Sequence, residues 1–108
     1  MEIKPVNKEE KTDSEFGYFS KILKILGNPL RLKIIYALYI KKCRVGKLTE
    51  CIDEKLPIIS QQIAILRKEG IITGERDKNV INYKISDKFT DEILKLISNL
   101  PENFLEKL

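Results

Sequence analysis

The chain contains no histidine. That absence removes the commonest general base and the commonest metal ligand together. Cysteine is scarce: only Cys43 and Cys51 occur. With no export signal, two such residues read as reduced thiols, not as a disulfide framework. Long apolar runs are missing as well. The longest, Ile34 to Ile40, has seven residues, against the roughly 20 that a bilayer-spanning helix needs. No basic-then-apolar leader opens the chain, so the cytoplasm is the expected compartment. These absences point away from a membrane protein and from the usual catalytic constellations. An enzyme is not expected, and no cofactor is called for.

What is present suits one small domain. The chain has 108 residues, 43% of them hydrophobic, enough to build a core. Its net charge of +4 is unevenly spread. Residues 14–52 carry eight Lys or Arg against only Glu15 and Glu50, while the segment 87–108 is acidic overall. A basic first half attracts polyanions, of which DNA is the commonest in the cytoplasm. Lysines that merely keep a surface soluble give the same count.

Residues 1–13 are polar and aperiodic and read as a frayed tail, leaving 14–108 as the domain. Ser14 can cap a helix whose apolar face is Phe16, Phe19, Leu23 and Leu26, with Gly27 as its stop. Asn28-Pro29 opens a second helix: Asn is a favoured cap, and Pro loses nothing at the first helical position. Leu30, Ile34, Ile35, Leu38 and Tyr39 cover two of its faces, which marks it as central. A short helix from Val45 to Ile52 follows, then a turn over residues 53–56. Pro57 opens a helix that buries Ile59, Ile63 and Leu66 and stops at Gly70. After Gly70 the apolar period falls from near four to two. Ile71–Arg76 and Val80–Ile85 flank Asp77-Lys78-Asn79 as a hairpin. Ser86 or Asp87 can cap a last helix with Phe89, Ile93, Leu96, Ile97 and Leu100 inward. Phe104, Leu105 and Leu108 form an apolar tail.

The expected fold is mainly α with a two-stranded β-wing, a winged helix-turn-helix. The helix after Pro57 presents Ile58, Ser60, Gln61 and Gln62 near its start. Gln can bridge adenine N6 and N7, Ser can bond bases or phosphates, and an aliphatic group can touch a thymine methyl. The positive end of the helix dipole favours phosphate there. Alone, Ser60-Gln61-Gln62 is only a polar helix face; the order of elements around it makes it a DNA-reading edge. Arg76, Lys78 and Asn79 at the hairpin tip can reach phosphates or the minor groove, or form a solvated turn. The expected partners are a double-stranded DNA operator and a second copy of the chain. Phe16, Phe19, Ile93, Ile97 and Leu100 exceed what one small domain can hide, so a homodimer is expected. A winged-helix protein-interaction module without DNA binding is the alternative, and a thiol-based enzyme using Cys43 is a more distant one.

The same residues carry a family resemblance. Leu26-Gly27-Asn28-Pro29-Leu30-Arg31-Leu32 and Val45-Gly46-Lys47-Leu48 are similar to the second and third helices of ArsR/SmtB regulators. Ile59-Ser60-Gln61-Gln62 through Gly70-Ile71-Ile72 resembles their recognition helix and the start of the wing. Val80–Ile85 resembles the second wing strand. The resemblance implies a homodimer built on the first and last helices that binds a palindromic operator, usually as a repressor. The metal sensors of that family do not carry over. Arg44-Val45-Gly46 stands where arsenic and cadmium sensors have Cys-Val-Cys. Asp91 and Glu92 have no histidine beside them on the last helix, so no metal site is expected.

Cys43 and Cys51 remain as candidate redox sensors. Lys41, Lys42 and Arg44 flank Cys43, and nearby cations activate a thiol. Cys51 reads as a small buried residue. On one continuous helix the two would stand about 12 Å apart, too far for a bridge. A bridge would need a bend at Arg44, or pairing across a dimer.

Overall fold

The structure, a computed structural model, describes residues 10–104. Leu105, Leu108 and most of the expected N-terminal tail lie outside the described residues. Five helices and one hairpin follow in order: α1 Asp13–Leu26, α2 Pro29–Tyr39, a 3-10 turn Val45–Lys47, α3 Leu48–Ile52, α4 Leu56–Lys68, β1 Ile72–Asp77, β2 Val80–Ile85 and α5 Lys88–Ser98. The fold is a winged helix-turn-helix, as the order of apolar periods implies.

Local chemistry accounts for most boundaries. The cap of α1 is Thr12, not Ser14. Thr12 Oγ1 accepts from Glu15 N–H at 3.2 Å, and the Glu15 carboxylate accepts from Thr12 N–H at 3.3 Å. That reciprocal box needs an acid three residues after the cap, which Ser14 does not have. Asn28 caps α2 through its side chain, accepting from Arg31 N–H at 3.0 Å. Asp87, not Ser86, caps α5: one carboxylate oxygen accepts from both the N–H and the hydroxyl of Thr90. Ser86 instead donates its hydroxyl to the Gly70 carbonyl at 2.7 Å, and its N–H bonds Ile71. Those two bonds close the base of the wing.

The core gathers one face of every helix. Ile34 and Ile35 of α2, Leu48 of α3, Ile59 and Leu66 of α4, Ile71, Ile72 and Leu94 are essentially fully buried. Burying such a side chain is worth about 1.5–3 kcal/mol, so this cluster sets how the helices pack. The expected face of α4 is confirmed, since Ile59, Ile63 and Leu66 are all interior. Two other faces are turned from their expected positions. On α1 the buried residues are Ile22 and Leu26, while Phe16 and Leu23 are exposed. On α5 they are Thr90 and Leu94, while Leu96, and Leu100 just past the helix end, are exposed. The pivot is Phe19 against Phe89, with ring centroids 4.8 Å apart. That contact joins α1 to α5 and leaves a second apolar side uncovered on both.

The cysteine expectations need two corrections. Cys43 and Cys51 are joined as a disulfide and are not free thiols. Cys51 is exposed, not buried. The backbone explains how they meet. Lys42 has a positive φ of 56°, Arg44 is extended, and residues 45–47 form a 3-10 turn. Residues 43–51 are therefore not one helix, and the two Cα atoms lie 6.9 Å apart. The bend at Arg44 that a bridge requires is present.

Candidate nucleic-acid interface

α4 starts at Leu56, with Lys55 at its cap position and no side chain capping it. No acidic residue stands in its first turn. The Lys55 N–H is taken by the Glu54 carboxylate at 2.9 Å, and the N–H groups of Ile58 and Ile59 bond the Lys55 carbonyl. The helix dipole and the Lys55 side chain are therefore what favour an anion there. Asp53, with a φ of 59°, turns the chain between α3 and α4. The helix-turn-helix is thus α3, a short left-handed turn and α4.

Along α4, Ile58, Ser60 and Gln61 are exposed. Their spacing places them beside the helix start, opposite Ile59, Ile63 and Leu66. Gln62 differs from its neighbours. It is half-buried, and its side-chain carbonyl is buried without a hydrogen-bond partner. Ser60 and Gln61 are therefore free to meet a base edge, whereas Gln62 first has to turn outward.

The wing places the other candidates. β1 and β2 pair antiparallel from Ile72 with Ile85 to Asp77 with Val80. The loop is therefore only Lys78-Asn79, not three residues. Lys78 takes a φ of 58°, a conformation that costs a non-glycine residue energy and projects the tip. Arg76, Lys78 and Asn79 are all exposed. None of the ion pairs formed by the described residues involves Arg76 or Lys78.

One residue absent from the sequence reading links wing to helix. Arg67, near the end of α4, lies 5.7 Å from the centroid of the Tyr83 ring on β2. Tyr83 pairs across the strands with Gly74, and a Cβ on Gly74 would stand 3.1 Å from both the Tyr83 ring and Ile81. The missing side chain lets the ring lie flat across β1, where the guanidinium can cover it. Ser60, Ala64, Arg67 and Tyr83 then share a small groove with Val45. Only the strand register shows that Gly74 faces Tyr83, so no local signal in the sequence marks Arg67. Behind this edge sits Tyr39, whose buried hydroxyl has no partner. Burial, aided by nearby Tyr83, pushes its pKa well above the usual tyrosine value. The disulfide ties the α2–α3 connection at Cys43 to Cys51 of α3, within the helix-turn-helix itself. On α5, Asp91 and Glu92 both reach Lys95, at 3.0 and 3.6 Å.

Comparison with known proteins places this architecture. The family described as bacterial regulatory protein, arsR family, matches residues 28–73, from the cap of α2 to the start of β1. The chain thus carries an arsR-type helix-turn-helix segment within a winged-helix fold. It is 33% identical over 79 residues to the biofilm growth-associated repressor of Agrobacterium fabrum, covering 73% of this chain and 65% of that one. It is 30% identical over 67 residues to the transcriptional repressor SmtB of Mycobacterium tuberculosis, covering 62% and 50%. The chain thus spans between half and two thirds of the length of these relatives. Among solved structures, the transcriptional repressor BigR from Xylella fastidiosa superposes with a TM-score of 0.67 at 25% identity, over 79% of this chain and 87% of that one. The regulator HlyU from Vibrio vulnificus superposes with a TM-score of 0.70 at 23% identity, over 80% and 90%, a likeness of fold. The ArsR-type match covers α2, the helix-turn-helix and the first residues of the wing, where the DNA-facing candidates begin.

Proposed function

We propose that this ArsR-type protein is a sequence-specific DNA-binding transcriptional repressor that acts in the cytoplasm as a homodimer, without catalysis of its own. The observation that carries the reading is the free edge of α4. Ser60 and Gln61 are exposed near the start of α4, while the opposite face of the same helix is locked in the core. A recognition helix needs this combination, a rigid back and a polar front that can enter a major groove. Exposed Phe16 on α1, Leu96 on α5 and Leu100 just after it support pairing with a second copy. Pairing would set two recognition helices one DNA turn apart.

The test is selection of bound duplexes from a random pool, followed by affinity against salt. A specific duplex should emerge and bind well above random DNA. Replacing Arg76 and Lys78 with Ala should flatten the slope of log affinity against log salt by about one unit per lost phosphate contact. Failure to enrich any sequence would reject the reading.

The disulfide supplies a second level. It clamps the α2–α3 junction, and reduction by a dithiol, taking up two electrons and two protons, would release Cys43 from Cys51. A tilt of α3 would carry α4 with it and shift DNA affinity. Affinity for the selected duplex with and without dithiothreitol tests this. Cys43→Ser should show no response to the reductant, and a parent that does not respond either would reject the switch.

A further inference from the structure

Away from the DNA-facing edge, α2, α3 and α5 enclose an open cavity of about 570 Å3. That size lies within the ~300–1,000 Å3 typical of small-molecule sites. Its floor is apolar, built from Leu32 and Ala37 of α2, Ile52 of α3 and Ile97 of α5. Its charged lining has one sign. Lys33 and Lys41 line the cavity and no Asp or Glu does. Neither lysine forms an ion pair among the described residues. Lys33 lies one turn before Ala37 on α2, and Lys41 follows just past the helix end. Both exposed lysines thus border one apolar trough, and Tyr36 also lines it.

We infer that this cavity binds an apolar organic anion, a carboxylate attached to a short acyl or aromatic body. The apolar floor accounts for the body and the lysine pair for the charge. An inorganic anion would leave the floor wet, and an organic cation would meet two like charges. A second copy of the chain is less well matched. The most exposed apolar residues of α1 and α5, Phe16 and Leu96, are not part of the lining. The position also gives the ligand leverage. Ile52 belongs to the helix-turn-helix and Ile97 to the last helix, so an occupant touching both fixes one against the other. That regulatory consequence rests on the DNA-binding reading above, whereas the binding itself does not.

Calorimetry on the full chain with octanoate, octanol and octylamine tests the site. Octanoate should bind saturably, once per chain, and on the order of tenfold or more tighter than octanol, a charge contribution of about 1.4 kcal/mol. Octylamine should not compete. The charge-reversed variant carrying Lys33→Glu and Lys41→Glu should lose octanoate binding while keeping the parent's circular dichroism. Lys33→Gln with Lys41→Gln serves if charge reversal perturbs folding. Equal binding of octanoate and octanol, unchanged binding by a folded variant, or no saturable binding would overturn the proposal. So would loss of self-association in the double variant without octanoate binding by the parent, which would assign the trough to a second copy. Saturating octanoate should then change affinity for a selected duplex several-fold in the parent and not in the variant. No change would overturn the regulatory consequence. A chain that binds octanoate but no DNA would reject the regulator reading and leave the site standing.

Discussion

Helices α4 and α5 are both amphipathic, yet α4 buries three large apolar residues against its own chain and α5 only Leu94. In α4 Ile59, Ile63 and Leu66 are all inside, and the outward side near its start carries Ser60 and Gln61 beside exposed Leu56 and Ile58. In α5 the interior takes Thr90 and Leu94, while Leu96 is 62% exposed and Leu100, just past its end, 43% exposed. One face of α4 meets the rest of its own chain, and the other is free for DNA. α5 has apolar groups on two sides, and one chain covers only one of them. The lesson is that a helix with too much apolar surface for its own domain marks where another molecule belongs.

The largest effect that would sharpen this contrast comes from the covered side. Leu66→Ala should cost about 2–5 kcal/mol of stability, because a fully buried leucine leaves a cavity when truncated. Urea unfolding measures it, and a loss well under 1 kcal/mol would mean that α4 is not anchored as described. On α5 the opposite is expected. Leu96→Glu should leave the fold intact but shift sedimentation toward the 12.6 kDa monomer. A variant that unfolds, or a parent that is itself monomeric at micromolar concentration, would break the comparison.

A smaller effect separates the two glutamines on the free face of α4. Gln61→Ala should weaken binding to a selected duplex by about 1–3 kcal/mol if it makes a bidentate base contact. Gln62→Ala should cost less, because its buried carbonyl must leave the protein before it can reach a base. Equal losses for both on specific DNA would show that Gln62 turns outward freely.

The smallest effect concerns Tyr39. Its hydroxyl is buried and unpaired, so Tyr39→Phe should be neutral or stabilising by up to about 1 kcal/mol. Its pKa in the folded chain is raised by burial and by Tyr83. The folded protein therefore resists ionisation of this group. The stability that Tyr39 contributes is fully present below the usual tyrosine pKa of about 10 and declines as pH rises above it. Denaturation at alkaline pH should be delayed in Tyr39→Phe, and an unchanged alkaline limb would remove this role.

Much of the fold was legible because local chemistry decided it. Asn28-Pro29 starts a helix wherever it stands, Gly70 with a φ of 75° ends one, and the change of apolar period after it announces the wing. The exposure of Ser60 and Gln61 followed from the spacing of Ile59, Ile63 and Leu66. What escaped the sequence was set by contacts between distant elements. The Arg67–Tyr83 stack depends on Gly74 lying across the strand from Tyr83, which is a matter of register.

The sequence by itself determined the order and type of the elements and the helix face that reads outward, because periodicity, caps and turn residues act within a few positions of the chain. The tertiary structure decided which apolar residues of α1 and α5 stay uncovered, how Cys43 meets Cys51, and that Lys33 and Lys41 share one apolar cavity. Each of these depends on how the chain bends at Lys42 and Arg44 and on where Phe19 settles against Phe89. Packing between remote segments fixes those positions, and no local pattern records it.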